Sequence, residues 1–264
     1  MTISDYADYA FPAFSLRFWP IWQRNFLVWK KLAVASLLGN VADPLITLIA
    51  FGYGLGSLLK QVDGIPYIHY LASGSICMSI MMAASFEALY SAFSRMHVQK
   101  SWDALLNAPL ALDDIILAEM LWAATKSLFS GVAILGVMFL LGIGLHPHTL
   151  LVLPLLLLIG ITFASMGLVI NALAQGYDFF TYYFTMVLTP MIFLSGVYYP
   201  TAQLPYWLQM VTQILPLNAA VNLVRPLILG AWPAAPLQDI ALLLGYAVLG
   251  FYLATVLTRR RLLK

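Results

Sequence analysis

Apolar residues run in long blocks along this chain, at about 35–58, 68–92, 115–143, 150–174, 179–199 and 237–258, with most charged residues gathered between them. Each block is near the roughly 20 residues that an α-helix needs to cross the hydrocarbon core of a bilayer. The pattern therefore predicts six transmembrane helices in a single unit over residues 1–264. Between the fifth and sixth blocks, the stretch at about 200–235 is apolar but broken by Pro200, Pro205, Pro216, Pro226, Pro233 and Pro236. Proline removes a backbone donor and interrupts a helix, and irregular backbone at membrane depth is stable only against protein or a cavity. A re-entrant outer hairpin of short helices is expected there. Ahead of the first block, Trp22, Phe26 and Trp29 recur at helical spacing opposite Gln23, Arg24, Lys30 and Lys31, and Pro20 suits a first helical turn. This reads as an amphipathic interfacial helix lying along membrane lipid. It is not a cleavable signal, because a compact apolar core with a small-residue cleavage site is missing.

Composition sharpens the class. The 264 residues are 62% hydrophobic and only 9% charged, against about 45–50% apolar and about 25% charged in a soluble domain. Too little polar surface remains for a water-soluble body, so the fold class is an all-α integral membrane protein. The formal net charge of +2 gives no reason to expect nucleic acid as a partner. The placement of the cations says more. Arg17, Arg24, Lys30, Lys31, Arg95, Lys100, Arg259, Arg260, Arg261 and Lys264 fall on one side of the expected spans, Lys60 and Arg225 on the other, and Lys126 within one. Basic residues favour the cytoplasmic side, which puts both termini there. The single cysteine, Cys77, excludes an internal disulfide and a Cys-rich metal site.

Little in the chain has the pattern of catalytic chemistry. A G-x-x-x-x-G-K-[ST] phosphate loop is absent from the sequence, so nucleotide hydrolysis by that route is excluded. Gly52-Tyr53-Gly54-Leu55-Gly56 matches the small-residue spacing of close helix packing better than a nucleotide loop. His146-Pro147-His148 is a pair without a third ligand, an ordinary turn and not a metal site. The inner carboxylates Asp43, Glu87, Glu119 and Asp178 lie on different segments, and nothing in the sequence assembles them. Ionisable groups inside a span tend to pair, and antiparallel packing of the second and third spans would bring Glu87 near Lys126. An interhelical ion pair is expected, with a proton relay as the functional alternative.

Two further segments stand out. In the loop at 95–110, Trp102, Leu105 and Leu106 sit at i, i+3 and i+4, while Lys100, Asp103 and Asn107 can face water. Such a short amphipathic helix offers an aromatic anchor either to a groove on a partner protein or to the lipid surface. Around 195–207, Tyr198, Tyr199, Tyr206 and Trp207 are closely spaced, and Tyr177, Tyr182 and Tyr183 bracket the inner end of the fifth span. Interfacial aromatic belts explain such residues. Flat faces with polar tips also suit sugar rings or a lipid-linked head group.

The order of these features resembles the type-2 ABC exporter permeases. The resemblance is carried by 24–31 (RNFLVWKK), 36–40 (SLLGN), Ala42-Asp43-Pro44-Leu45-Ile46, 119–126 (EMLWAATK), Phe193-Leu194-Ser195-Gly196, Gln203-Leu204-Pro205, Leu215-Pro216-Leu217 and Arg259-Arg260-Arg261-Leu262. It covers essentially the whole chain and is nearest to the branch that exports lipo-chitooligosaccharides of the nodulation-factor type. It implies a homodimer in the bacterial inner membrane with two separate ATP-binding subunits. ATP and Mg would be bound by those subunits, and this chain would carry no cofactor. The loop running from Arg95, Gln99 and Lys100 through Trp102, Leu105 and Leu106 would be the coupling helix, and the N-terminal helix would border the ATPase. An amphiphilic glycolipid cargo would pass between the two copies. Other polysaccharides or drug-like molecules are the alternative cargo, with an ion-driven secondary transporter or a membrane enzyme on lipid-linked sugars as rivals from other classes.

Overall fold

The computed structural model describes residues 9–12, 15–59 and 61–262, with the side chains of Asn40, Val41 and Asp43 outside that set. Lys60 and Lys264, used in the charge argument, and the carboxylate of Asp43 thus lie outside the described residues. An amphipathic helix α1 (Phe18–Lys30) is followed by α2 (Ala33–Leu58), α3 (Tyr67–Val98) and a short loop helix α4 (Ser101–Leu106). Then come α5 (Leu112–Leu140), α6 (Pro147–Leu173), α7 (Asp178–Leu194), the short α8 (Tyr206–Thr212), α9 (Pro216–Ile228) and α10 (Pro236–Leu262).

Among the described residues, α2, α3, α5, α6 and α10 are the five helices long and apolar enough to cross a membrane. The block expected as a fifth span, 179–199, differs. Its helix α7 stops at Leu194, because Gly196 takes a left-handed φ of 72° and turns the chain. Pro190 lies near its end, preceded by a π-helical stretch at Phe184–Leu188 that absorbs the interruption. The proline-broken segment folds into α8 and α9, whose starts follow Pro205 and begin at Pro216. A feature the hydropathy pattern did not predict is a two-stranded antiparallel hairpin, Gln61–Val62 against Ile65–Pro66. Its two-residue turn is Asp63-Gly64, both with positive φ, as the twist of a tight hairpin demands.

At the centre lies α6, packed against α3, α5 and α10. Without a hydrophobic drive between helices in lipid, close backbone approach supplies the contact energy. Gly160 of α6 shows this, since a Cβ there would sit 3.1 Å from the backbone of Ala124 on α5. Gly250 of α10 is equally close to Ser165 of α6. Gly52, from the glycine-rich stretch, packs against Ile68 of α3, in keeping with a packing role. By contrast α2 and α7 leave large apolar side chains exposed, among them Leu38, Ile46, Ile49 and Tyr53 on α2 and Phe179, Met186 and Phe193 on α7.

Basic residues converge at one end of the bundle. Arg259 pairs with Asp113 at the start of α5, with Nε at 2.9 Å from Oδ1, and Arg17 donates to the carbonyl of Pro109 at 2.8 Å. Arg261 donates to the last carbonyls of α6, those of Asn171 and Ala172, both at 3.0 Å. These are the positions where a cation opposes the negative helix end.

Candidate functional site

The most chemically concentrated part of the molecule lies on α3, α4 and α5 near that basic end. Two π-helical stretches, Glu87–Ser91 and Ser94–Val98, widen α3 there. Asn171 of α6 donates its amide to the carbonyls of Ala88 and Leu89 at 2.8 and 3.3 Å, satisfying groups in the first of these stretches. Out of the widened helix, Arg95 reaches two carboxylates. Its Nη2 donates to Glu87 at 2.9 Å, and its Nε donates to both oxygens of Glu119 at 3.0 and 3.1 Å. Lys126 of α5 donates to the other oxygen of Glu87 at 2.6 Å, and the indole N–H of Trp122 donates to Glu87 at 2.8 Å. Both carboxylates are buried, at 2% and 1% exposure, so each charge depends on these partners. The four charges cancel in pairs.

The loop helix is locked to this network. Trp102 is 1% exposed, and its indole N–H points to Glu119 at 3.4 Å. The hydroxyl of Ser101 donates to the Arg95 carbonyl at 2.9 Å. Between them, Lys100 takes a left-handed φ of 50°, which turns the chain sharply from α3 into α4. The reading of Trp102 as an outward aromatic anchor is corrected by this geometry. The apolar stripe of Trp102, Leu105 and Leu106 faces the bundle, where burial stabilises it, and Gln99, Lys100, Asp103, Ala104 and Asn107 form the exposed side.

The N-terminal helix is also placed by the structure. Trp22, Phe26 and Trp29 lay their rings against Trp122 and Phe129 of α5, with Trp29 stacked on Phe129 at 5.0 Å, and Trp22 donates to the Thr125 hydroxyl at 3.1 Å. The aromatic face thus covers protein and not lipid alone. Lys30 and Lys31 are exposed, whereas Arg24, expected on the polar face, is half-buried and donates to the Asn25 side-chain oxygen at 3.0 Å. Sequence reasoning missed Trp122, Asn25 and the second carboxylate site at Glu119. Of the scattered carboxylates, Arg95 joins Glu87 and Glu119, and Asp178 is exposed at the start of α7.

The tyrosines do not form one surface within the chain. Tyr177 lies parallel to Tyr90 at 5.9 Å, Tyr182 is exposed and Tyr183 is buried, all at the start of α7. Beyond the other end, Tyr198 packs against Phe51 and Phe193 with its hydroxyl 3.6 Å from the Met78 sulfur, and Tyr199 is half-buried. Tyr206 and Trp207 on α8 are exposed. Near this end sits a second polar contact that sequence reasoning read only as an outer charge. Arg225 of α9 donates to the Ser73 hydroxyl at 3.0 Å and to the Gly196 carbonyl at 2.7 Å, with its guanidinium 3.6 Å above the Tyr70 ring. A lone arginine in an apolar helix was the available signal. His146 lies against Gly230 and His148 against Trp232, and among the described residues no group of side chains could hold a metal ion.

Comparison with known proteins places this geometry in context. Residues 17–229 match the family described as ABC-2 type transporter. The chain is 44% identical to nodulation protein J of Rhizobium meliloti (strain 1021) over 258 residues, covering 96% of this chain and 97% of that one. It is 45% identical to nodulation protein J of Rhizobium leguminosarum bv. trifolii, with 97% of each chain covered. Similarity extends at 26% identity to the inner membrane transport permease YadH of Escherichia coli (strain K12), over 87% of each chain.

Proposed function

This chain belongs to the ABC-2 type transporter family as a multi-pass membrane permease of a bacterial ABC exporter, and we propose that its cargo is an amphiphilic glycolipid of the lipo-chitooligosaccharide type. The near-full-length similarity to nodulation protein J carries this reading. In it, two copies of the chain sit in the inner membrane with both termini cytoplasmic, and two separate ATP-binding subunits hold ATP and Mg at the basic end. The shorter helix α7 serves as the sixth span, and α8 and α9 form the outer hairpin. Exposed apolar faces on α2 and α7 support a path bordered by those helices. A cargo with a hydrocarbon tail and a sugar head needs apolar wall and hydrogen-bonding tips together, which Tyr182, Tyr206 and Trp207 offer from exposed positions.

Coupling follows from how the loop helix is held. The outward side of α4 receives the ATPase, and Arg95 with Glu119 and Glu87 carries its displacement into α3 and α5 as one unit. For the cycle to do work, cargo must bind the inward-facing and outward-facing states with different affinity. The test is mass spectrometry of secreted and cell-retained acylated oligosaccharides in matched strains with and without this gene. Accumulation inside and loss outside on deletion is the expected result. Matching profiles would reject this cargo and favour another polysaccharide or drug-like molecule.

A further inference from the structure

Two cavities of about 360 and 240 Å³ open side by side at the end of the bundle opposite the basic residues. Asn218, Val221, Asn222 and Arg225 of α9 line both and so form a shared wall. Asn218, Asn222 and Arg225 recur at i, i+4 and i+7, a polar stripe on a helix that otherwise buries Leu217, Ala220, Leu223, Val224 and Leu227. The larger cavity is also lined by Gln213, at the end of α8, and by Gln238 and Asp239 in the first turn of α10. Facing water does not explain the stripe. Asn218 is only 8% exposed, and among the described residues its side-chain amide makes no hydrogen bond. Neither its oxygen nor its nitrogen is sealed among protein atoms, so both open to the cavities that it lines. Arg225 commits Nε and Nη2 to Ser73, Tyr70 and Gly196, which leaves Nη1 without a partner among the described residues. Buried amides are normally hydrogen-bonded, so these atoms call for a partner inside the cavities.

The lining defines the occupant. A guanidinium donates, a carboxylate accepts, and the Asn and Gln amides do both. Arg225 is balanced by Asp239 in the larger cavity and by Asp63 in the smaller, so neither has an excess of one charge. That balance disfavours an anion or a cation. It suits neighbouring hydroxyls, each of which donates and accepts, and hydroxyls that reproduce the hydrogen bonds of bound water displace it without loss. Val221, Pro226 and Ala235 add apolar patches for the C–H faces of a ring. The larger cavity falls within the roughly 300–1,000 Å³ of small-molecule sites.

We propose that the paired cavities bind neutral sugar units, held by Asn218, Asn222, Arg225, Gln238 and Asp239, as a subsite for the head group of the cargo at the end of the bundle far from the ATPase. The choice of an acetamido sugar as its ligand rests on the proposed glycolipid cargo.

The experiment uses the full-length protein in nonionic detergent, with a cysteine introduced at the exposed Ala234 beside the larger cavity. The native Cys77 is buried and does not compete. Maleimide labelling is followed against chitotetraose, with inorganic phosphate as the anionic control and a cysteine at Ala104 on α4 as the remote one. Chitotetraose is expected to slow labelling at 234 and not at 104. Asn218→Ala removes an amide that has no protein partner, so the unfolding temperature should hold while the half-protecting concentration rises about tenfold, the loss of two neutral hydrogen bonds. Gln238→Ala, at the exposed start of α10, tests the other side of the cavity in the same way. Absence of protection at 234, or protection unchanged in both variants, would overturn the site. Phosphate that protects as well as the sugar would overturn the assignment to a neutral ligand. The secretion profiles of the deletion strain report separately on the cargo. An altered profile without protection rejects this site alone, and protection with matching profiles rejects the cargo alone.

Discussion

Arg95 and Glu119, 24 positions apart, meet in a forked contact in which Nε of the arginine donates to both oxygens of a carboxylate that is 1% exposed. That contact ties the end of α3 to α5 and holds the loop helix between them. Burying such a pair is costly, and removing one partner is costlier, because it strands the other charge.

Glu119→Gln is expected to destabilise the folded protein by about 3–5 kcal/mol, read as a lower unfolding temperature of the purified protein in detergent. Exchanging Arg95 and Glu119 together for Met and Leu should recover much of that loss, since no stranded charge remains. A single variant as stable as the parent would mean the contact is not formed in the membrane.

Trp122→Phe keeps an aromatic ring against Trp29, removes the N–H that reaches Glu87 and leaves a small void where the larger indole is buried. Lys126 and Arg95 still satisfy Glu87, so the cost should stay moderate, about 1.5–3 kcal/mol for a hydrogen bond to a charged group. A collapse in expression comparable with Glu119→Gln would show that the indole carries more than this one bond.

Trp102→Asp places a second carboxylate beside Glu119 inside the bundle, so it should reduce stability and export together. Ala104→Asp changes only the exposed side of α4. If that side receives the ATPase, export falls while ATP hydrolysis by the co-purified complex and membrane insertion stay near the parent level. Full export by Ala104→Asp would move the coupling surface elsewhere.

Arg225→Met removes the bonds from α9 to Ser73 and to the Gly196 carbonyl. The expected outcome is loosening of the turn after α7, seen as faster labelling of a cysteine introduced at Thr201, with the basic end of the bundle unaffected. Equal labelling rates would show that the turn is held without the arginine.

Much of this arrangement is legible in one dimension because a bilayer imposes a length and a polarity on each helix. The long apolar blocks, the amphipathic pattern of Trp22, Phe26 and Trp29, and the proline-broken segment can all be read without a fold. The Asp63-Gly64 hairpin was readable too, from its turn dipeptide, but it is overshadowed by the apolar blocks around it. Boundaries fared less well. Hydropathy carries 179–199 as one block, yet the backbone turns at Gly196, since a left-handed residue ends a helix whatever the polarity around it.

What the sequence by itself determined is which segments avoid water and on which side of them cations gather, because both are sums over local composition. The tertiary structure alone decided which polar groups meet. Glu87 lies within hydrogen-bond reach of Lys126 and Trp122, one turn apart on α5, by helix register, but Glu119 and Trp102 join it only through Arg95, which the π-widened α3 carries between two carboxylates. In the same way Trp102 looks like an anchor for a partner until its neighbours are known. An amphipathic stripe states that one face must be covered, and only the packed chain states by what.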